Sequence, residues 1–437
     1  MPLLLRRLAA GAVSTALRRS LSTARSRPPW AMVNVEAALD ASGAPSLGAR
    51  ASFDLNAAPR ASRLSVPARF VDPHGYNTDF LVGIVCGASC DGLLLLDYID
   101  TRQRLKSKHE LDAGGGSEWD GKLFVCNPVS GQLFRLPAPD DVTNGSTPFG
   151  LLTQSPEGSN GPPDRYVVAQ LSLREGDNCR VVRRFLSETG QWEERPMEMD
   201  VASGKGATAE SLRMWAERRM VINHEVLAFG DRLWWPDVTW GVCSVDPFSD
   251  RPECRFVELP HCAVLPAPDS SRLSGSLIMS SYRRMGFSEG KLRFIVVTGP
   301  NTQKAFLIGS FSLDVESCSW TLDHTINITE TAPDVSKPLE DRRPWIAAID
   351  PLNANVVYLQ YGGAVIAMDM AKGVQIWRSP LPEKITCQMA RHNSLFLPCV
   401  LPTWLASSYI PGTPPSNKTT NCKRSTLAEM LVRVDQG

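Results

Sequence analysis

Residues 226–260, VLAFGDRLWWPDVTWGVCSVDPFSDRPECRFVELP, have the pattern of one complete antiparallel sheet. Each of four short apolar and aromatic runs in this stretch is bounded by Gly, Pro, Asp or Ser, which is typical of β-strands joined by tight turns. The runs are residues 226–229, 233–235, 242–245 and 256–259. Four short strands in succession predict one blade of a β-propeller.

The composition of the 437 residues favours the same all-β class. The chain has 33 prolines, 32 glycines and 11 tryptophans, and helical apolar periodicity is scarce, which favours many short strands joined by turns. The formal net charge is zero, and no apolar run is long enough to cross a bilayer. We therefore expect a soluble protein with no nucleic-acid partner and no membrane span.

An aromatic residue recurs in the predicted last strand of successive sheets, mostly with a proline soon after it. The aromatic residues are Phe134, Trp192, Phe256, Trp320 and Trp377, at separations of 58, 64, 64 and 57 residues. A single blade cannot bury both of its faces, so the blades must stack around an axis. Strands near 385–400 and 64–71 would share the sheet that closes the ring. The sequence therefore predicts a single propeller of about six four-stranded blades over residues 55–405.

Residues 1–35 have the composition of an organellar transit peptide. They contain no Asp or Glu, and six arginines are interleaved with Leu, Ala and Ser. The segment Arg19–Thr23 resembles a mitochondrial processing site, so we expect a transit peptide and disordered leader over 1–35. Mitochondrial import is the leading interpretation, with plastid import and then a cytoplasmic location as the alternatives.

Composition also predicts the character of the remaining segments. Residues 36–54 are predicted to be a linker because they are rich in Ala, Ser and Gly. Residues 406–437 are predicted to be a disordered tail that ends in a short helix. Further short helices are expected in the leader and around residues 208–220, the latter after a Gly-Lys-Gly segment that lacks phosphate-loop spacing.

No pattern of residues indicates catalysis or metal binding. The 11 cysteines are never spaced C-x-x-C, which favours buried, reduced thiols over a zinc site. The six histidines form no H-x-x-H pair, and there is no G-x-S-x-G nucleophile elbow. We expect no catalytic residue, no metal and no cofactor.

Some side chains allow two interpretations. Asp237, Asp246 and Asp350 could be catalytic acids, but each lies beside proline or in a turn, where aspartate usually caps the backbone. Several tryptophans could form a ligand-stacking floor, although aromatic residues between blades are ordinary propeller core. They are Trp234, Trp235, Trp240, Trp320 and Trp377.

Paired arginines are the candidate partner-binding residues. If these arginines lined one rim of the propeller, they could bind an acidic partner. In the alternative interpretation they are solvated charges on loops. The pairs that we assign to this rim are Arg183 with Arg184, Arg283 with Arg284, and Arg342 with Arg343.

Two segments resemble known families. The segment Cys90–Leu96, followed by residues 123–137, resembles the first blades of plant F-box-associated propellers. The segment Leu233–Asp237, with Gly241, Asp246-Pro247 and residues 255–260, resembles the plant family of unknown function DUF1618. The likeness covers about residues 80–400 and implies a propeller, but DUF1618 has no established activity to transfer. No F-box pattern precedes residue 80, so a ubiquitin-ligase adaptor role does not carry over.

The leading hypothesis is therefore a non-enzymatic propeller that binds an unknown protein partner. The first alternative is an enzyme or small-molecule binder that uses the central channel. The second is a substrate receptor of the F-box-associated type.

Overall fold

The computed structural model describes residues 27–41, 50–75, 78–102, 121–139, 147–156, 161–173, 180–199, 218, 220–222, 224–267, 279–300, 305–329, 343–361, 363–381 and 395–412. Helix in these residues is limited to short pieces. They are Ala68–Val71, Thr78–Phe80, His261–Ala263 and Thr403–Ala406, together with residues 101–102 and 279–282. The expected helices of the leader and tail lie outside the described residues, as does nearly all of the one expected at 208–220. No described helix is long and apolar enough to cross a bilayer.

In chain order the strands are β1 (Trp30–Asp40), β2 (Ser52–Asp54), β3 (Ala61–Pro67), β4 (Leu81–Ala88), β5 (Leu94–Asp100), β6 (Lys122–Cys126), β7 (Leu133–Arg135), β8 (Gly150–Gln154), β9 (Arg165–Leu173), β10 (Arg180–Leu186), β11 (Gln191–Pro196), β12 (Glu198–Met199), β13 (Leu227–Phe229), β14 (Arg232–Asp237), β15 (Gly241–Val245), β16 (Glu253–Glu258), β17 (Arg283–Ser288), β18 (Lys291–Pro300), β19 (Ala305–Asp314), β20 (Ser319–Thr329), β21 (Trp345–Ile349), β22 (Val356–Tyr361), β23 (Ala364–Asp369), β24 (Val374–Pro380) and β25 (Phe396–Val400).

Most strands pair antiparallel with their neighbours in sequence. Sheet 1 contains β4–β7, sheet 2 contains β8–β11, sheet 3 contains β13–β16, sheet 4 contains β17–β20 and sheet 5 contains β21–β24. The short strand β12 adds to sheet 3 in parallel with β16. The stretch quoted at the start of the sequence analysis is sheet 3, with its predicted order of strands.

The two ends of the chain meet in a further set of strands, the closing group. Within this group β1 pairs antiparallel with β25 and parallel with β3, and β2 pairs with β3. A single pair, Glu36 with Ile84, joins the closing group to sheet 1. The closing strand from the C-terminus was expected to share a sheet with β3, and it does so through β1, which pairs with both.

The first strands of successive sheets form a closed ring. Strand β4 contacts β8, β8 contacts β13, β13 contacts β17, β17 contacts β21, β21 contacts β25, and β25 contacts β4. A ring of antiparallel sheets joined by their first strands is a β-propeller, which confirms the predicted fold class. The expected count of about six blades stays a prediction, since the described residues do not cover the whole chain.

The folded domain begins earlier than expected. The expected leader and linker included Trp30–Asp40, but these residues form β1, in which Met32 and Val33 are fully buried. Strand β1 lies between β25 and β3, so its apolar residues are nearly continuous and do not show the alternation of a half-exposed strand. At the other end, Leu405 and Ile410 are buried and belong to the core, although a disordered tail was expected from residue 406.

Antiparallel pairing sorts the connections onto two faces. The first-to-second turns (residues 89–93, 155–164, 230–231, 289–290 and 350–355) and the third-to-fourth turns lie together on what we call the short-turn face. Second-to-third and sheet-to-sheet connections leave from the opposite, long-connection face. Its longer segments are 101–121, 136–149, 197–226, 259–282, 330–344 and 381–395.

The recurring aromatic residues lie on the fourth strands, as predicted. The indole Nε1 of Trp192 donates a hydrogen bond of 2.8 Å to the Pro137 carbonyl, and that of Trp320 donates one of 2.7 Å to the Glu258 carbonyl. Each bond joins the last strand of a sheet to the end of the preceding sheet. These residues therefore connect neighbouring sheets at the outside of the propeller.

Candidate functional site

A cavity of about 200 Å³ lies in the channel enclosed by the first strands. Its wall is mostly apolar and includes Val226, Phe229, Met285, Phe287 and Leu397. Residues of the turns that follow β4, β17 and β21 also line it, so the cavity extends to the short-turn face. A concave, mostly apolar cavity of this kind suits a ligand or an inserted side chain.

A buried ion pair lies at the other end of the cavity. The Arg284 guanidinium contacts the Glu225 carboxylate and donates a hydrogen bond of 3.0 Å to the Phe396 carbonyl. Glu225 precedes β13 and Arg284 lies near the start of β17, so both are near the long-connection end of the channel. The pair balances its own charge, and the site therefore does not require a charged ligand.

His224 lies next to this ion pair and contacts the backbone of the residues beside it. Its Nε2 lies 3.1 Å from the Met285 amide N–H, which donates to it, and its Nδ1 lies 2.9 Å from the Glu225 carbonyl oxygen. Burial lowers the pKa of His224 below its usual value, and the attraction of the nearby Glu225 carboxylate opposes this effect. A neutral imidazole with both nitrogens engaged positions the backbone, which is a structural role.

Asp237, the first of the candidate acids, holds the turn between β14 and β15. Its carboxylate accepts hydrogen bonds from the Thr239 amide at 2.9 Å and from the Val221 amide at 3.0 Å. The guanidinium groups of Arg218 and Arg283 lie near enough for their charges to interact with Asp237. The carboxylate is almost fully buried and fully engaged, which supports the turn interpretation over a catalytic one.

The other two candidate acids also cap turns. Asp246 accepts a hydrogen bond of 2.9 Å from the Phe248 amide. Asp350 accepts bonds from the Leu352 and Asn353 amides at 2.9 and 3.0 Å, and another of 2.9 Å from the Tyr358 hydroxyl. Burial raises the pKa of Asp350 against the effect of these hydrogen bonds. The structure does not bring Asp237, Asp246 and Asp350 to one site. Asp237 and Asp246 lie in turns at opposite ends of sheet 3, and Asp350 lies in sheet 5.

The arginine pair of sheet 2 does not form an exposed rim. Arg183 and Arg184 are buried on β10 and make ion pairs of 2.6 Å with Glu194 and Glu193, which lie opposite them on β11. Arg184 also donates to the Pro247 carbonyl of sheet 3 at 2.7 Å. These arginines therefore connect strands and sheets within the protein, which corrects the expectation of a partner-binding rim.

The pair in sheet 4 is also buried. Arg283 donates to the carbonyls of Val238 and Ala263, the first at 2.6 Å, while Arg284 points into the channel as described above. Arg343 is partly buried, with its guanidinium carbon 4.4 Å from the centre of the Tyr282 ring. Arg342 lies outside the described residues. The structure therefore gives these arginines separate surroundings.

The candidate tryptophans are part of the packing between strands and sheets. Trp234, Trp235 and Trp240 are buried, and Trp320 and Trp377 are partly buried. The Trp235 indole donates a hydrogen bond of 3.1 Å to the Pro148 carbonyl of the preceding sheet. Gly241 follows Trp240 because a Cβ atom there would lie 2.4 Å from the Phe256 ring. These contacts favour core over a ligand-stacking floor.

The cysteines give no metal site among the described residues. Cys243 and Cys254 are joined in a disulfide between β15 and β16, with Cα atoms 6.2 Å apart, where reduced thiols were expected. Cys90 lies on the cavity wall beside Asp91. Desolvation, followed by the charge of Asp91, raises the pKa of Cys90 to about 11, so its thiol stays protonated near neutral pH.

Sequence reasoning missed Glu225 and His224 at the end of the channel. Both immediately precede the predicted strand at 226–229, and an ionisable pair at the start of a first strand points toward a propeller channel. Arg284 was a candidate, but its partner lies 59 residues away in sequence, so no local pattern indicated the ion pair.

Residues 235–358 match the model of DUF1618, a family described as proteins of unknown function. The match begins at Trp235 and covers most of sheet 3, all of sheet 4 and the start of sheet 5. It includes the Asp237 turn and Gly241 but only one of the two residues of the channel ion pair, Arg284. No curated protein matches the sequence.

Several solved propeller structures resemble the chain weakly. The β-propeller domain of Cps50 (Swd1) from Myceliophteria thermophila is 9% identical, with a TM-score of 0.32 over 69% of this chain and 74% of that one. The GH93 α-L-arabinofuranosidase of Fusarium graminearum is 9% identical, with a TM-score of 0.35 over 71% and 84%. The Nup133 β-propeller domain of Vanderwaltozyma polyspora is 10% identical, with a TM-score of 0.28 over 70% and 90%. The fold assignment follows from the strand order and the closed ring of contacts.

Proposed function

We propose that this chain is a non-enzymatic β-propeller that binds another protein through its long-connection face after import into mitochondria. The observation that carries the proposal is the unequal length of the connections on the two faces. Turns of two residues, such as 230–231 and 289–290, serve the short-turn face, whereas connections such as 259–282 leave from the other. Loops on a rigid scaffold commonly carry binding residues, and long ones offer the larger surface.

The engagement of the ionisable groups supports a non-enzymatic role. Asp237, Asp350 and His224 direct their polar atoms to backbone and side-chain partners within the protein. A general acid or base must instead present such an atom to a substrate. The Arg284–Glu225 ion pair is likewise neutralised internally.

An exposed aromatic residue marks one place on the long-connection face. Phe80 lies just before β4 and is 42% exposed. The Arg102 guanidinium carbon lies 4.3 Å from the centre of its ring, and the Thr101 hydroxyl donates to the Phe80 carbonyl at 2.9 Å. Aromatic and arginine side chains dominate the energetics of many protein interfaces, so Phe80 and Arg102 are the contact residues that we propose.

The test is affinity purification of the tagged full chain from mitochondria, comparing wild type with Phe80→Ser. The matched control is Tyr409→Ser, because Tyr409 is 65% exposed and lies on the C-terminal segment that packs against the short-turn face. We expect a partner that wild type and Tyr409→Ser retain and Phe80→Ser loses. Loss with Tyr409→Ser alone would place the partner on the other face, and equal recovery by all three would contradict the Phe80 contact.

The cellular location of the protein is tested in a separate experiment. The membrane potential draws an acid-free, arginine-rich helix toward the matrix, with roughly 2.3 kcal/mol per charge for each 100 mV. A reporter fused to residues 1–35 should enter mitochondria, and changing Arg6, Arg7, Arg18 and Arg19 to Gln should leave it cytosolic. Entry into plastids would overturn the choice of organelle. A wild-type fusion that stays in the cytosol would contradict the import proposal and would favour the substrate-receptor alternative.

A further inference from the structure

The described chain begins beside the mouth of the channel cavity. Trp30 lies opposite Val400 in the pairing of β1 with β25, and Val400 lines the cavity. The Leu401 amide donates a hydrogen bond of 2.7 Å to the Pro29 carbonyl, and the Arg27 guanidinium contacts the Pro402 carbonyl. Residues 1–26 are therefore attached to the folded domain at the rim of this cavity.

The same rim carries acidic side chains. Each of the five first-to-second turns that define this mouth contributes one at or near its end: Asp91, Asp164, Asp231, Glu289 and Asp350. Asp164, Asp231 and Glu289 are exposed, whereas Asp350 is buried and engaged by its own turn. The mouth thus presents carboxylates from several sheets around one opening.

The basic residues that follow these acids are directed outward from the channel. Arg232 donates at 2.8 Å to the carbonyls of Ser244 and Glu253, on the third and fourth strands of sheet 3. Arg165 pairs with Glu188 in a third-to-fourth turn. Hydrogen bonds from Ser317 and Glu316 lower the pKa of Asp314, and the charge of Lys291 acts in the same direction. These bases therefore offset charge at the outer turns more than at the mouth.

The segment attached at this rim has complementary chemistry. Residues 1–26 contain five arginines, no Asp or Glu, and leucines on both sides of the arginine pairs. A linker of this length typically has an end-to-end distance of roughly 30 Å, and tethering of this kind gives an effective concentration of about a millimolar. Even a weak contact with the mouth would then be populated.

We propose that residues 1–26 dock on the short-turn face of their own propeller, with arginines against the acidic rim and a leucine side chain in the channel cavity. Removal of the leader would then uncover the cavity. This docking depends on charge, attachment and the apolar wall of the cavity. It requires neither the partner nor the organelle proposed above.

The test is limited trypsin digestion of the full chain, with cleavage after Arg18 and Arg19 followed by mass spectrometry at low and high salt. A free peptide of residues 1–26 in the same buffers corrects for the effect of salt on trypsin. Docking should slow cleavage of the attached leader relative to the peptide at low salt. Salt of about 1 M should remove the protection, because it reduces the Debye length to about 3 Å.

The matched variants separate the rim from general charge. Asp231→Asn with Glu289→Gln should raise the low-salt cleavage rate roughly fivefold, the factor for about 1 kcal/mol of charge interaction. Asp79→Asn with Asp40→Asn removes one exposed and one half-buried carboxylate from the long-connection side and should leave the rate unchanged. Thermal melting establishes that both double variants are folded.

Three results would overturn the proposal: a wild-type leader cut as fast as the free peptide at low salt, protection that salt does not affect, or equal loss of protection in both doubles. A competition experiment adds an excess of the free peptide of residues 1–26. It should release the attached leader by competition, and a failure to do so at millimolar peptide would also contradict docking at this mouth.

Discussion

Trp235 is, with Trp240, one of the two largest fully buried side chains among the described residues, and it lies where sheets 2 and 3 meet. Its ring packs in the core and its Nε1 donates to the Pro148 carbonyl. We expect Trp235→Ala to lower the free energy of unfolding by roughly 3–5 kcal/mol, because it leaves a cavity and an unpaired carbonyl. Chemical denaturation measures this change. Tyr409→Ala is the exposed control, and an equally small effect of both would show that the Trp235 ring is not core.

His224 should make stability depend on pH. Its pKa is lowered in the folded state, whereas the unfolded chain titrates near the ordinary value of 6.5. The unfolded state therefore binds the proton first as pH falls, and the stability present above pH 6.5 is lost below it.

We expect the free energy of unfolding of the wild type to fall between about pH 7 and pH 5 by at most roughly 1.4 kcal/mol per pH unit from this group. His224→Gln, which cannot titrate, should flatten that dependence. Denaturation curves at several pH values measure it, and parallel slopes for the two proteins would contradict a neutral buried His224.

The outer strands of the sheets depend on tryptophan hydrogen bonds for contact with their neighbours. Trp320→Phe keeps an aromatic ring on β20 but removes the donor to the Glu258 carbonyl. We expect the free energy of unfolding to fall by about 1 kcal/mol, the usual net contribution of one such hydrogen bond. Trp377→Phe on β24 is the matched control, since the Trp377 indole donates no hydrogen bond to a described residue. A larger loss in the control would show that packing matters more than this bond.

The strands could largely be predicted because each is a short apolar run between turn-forming residues. The segments at 226–229, 233–235, 242–245 and 256–259 correspond to β13–β16 within a few residues. The turn role of Asp237 was also predictable, since Asp beside a proline or in a turn often caps the backbone. Strand β1 was missed because it is buried on both sides and follows directly on an arginine-rich segment.

The surroundings of the paired arginines could not be predicted from their adjacency. Successive side chains of a strand point to opposite faces, so two neighbouring arginines on β10 or β17 cannot line one surface. Arg283 and Arg284 illustrate this, since one contacts backbone carbonyls of sheet 3 and the other enters the channel. The partners Glu193 and Glu194 were visible in the next strand, and their register with Arg184 and Arg183 was the missing information.

The whole molecule depends on β1 to close its ring. We expect deletion of residues 1–26 to leave the melting temperature nearly unchanged, because β1 and its contacts remain. Deletion of residues 1–40 removes the strand that pairs with β25 and β3, and exposes their edges. The longer deletion should therefore melt without a cooperative transition or fail to fold. Calorimetry measures the unfolding transition of each deletion variant. A cooperative transition for both variants would mean that the ring closes without β1.

The pairing of Trp30 with Val400 also fixes the order of events during synthesis. The first strand made must wait for the last, which is 370 residues further along the chain. At about 5–20 residues per second, that wait is roughly 20–75 seconds. Throughout this time the N-terminal arginines are already outside the ribosome while the acidic mouth is incomplete, because β25 and the turns of sheets 4 and 5 are made late. Under the proposed import and docking, a nascent chain would display its leader for import receptors before its own propeller could compete for it.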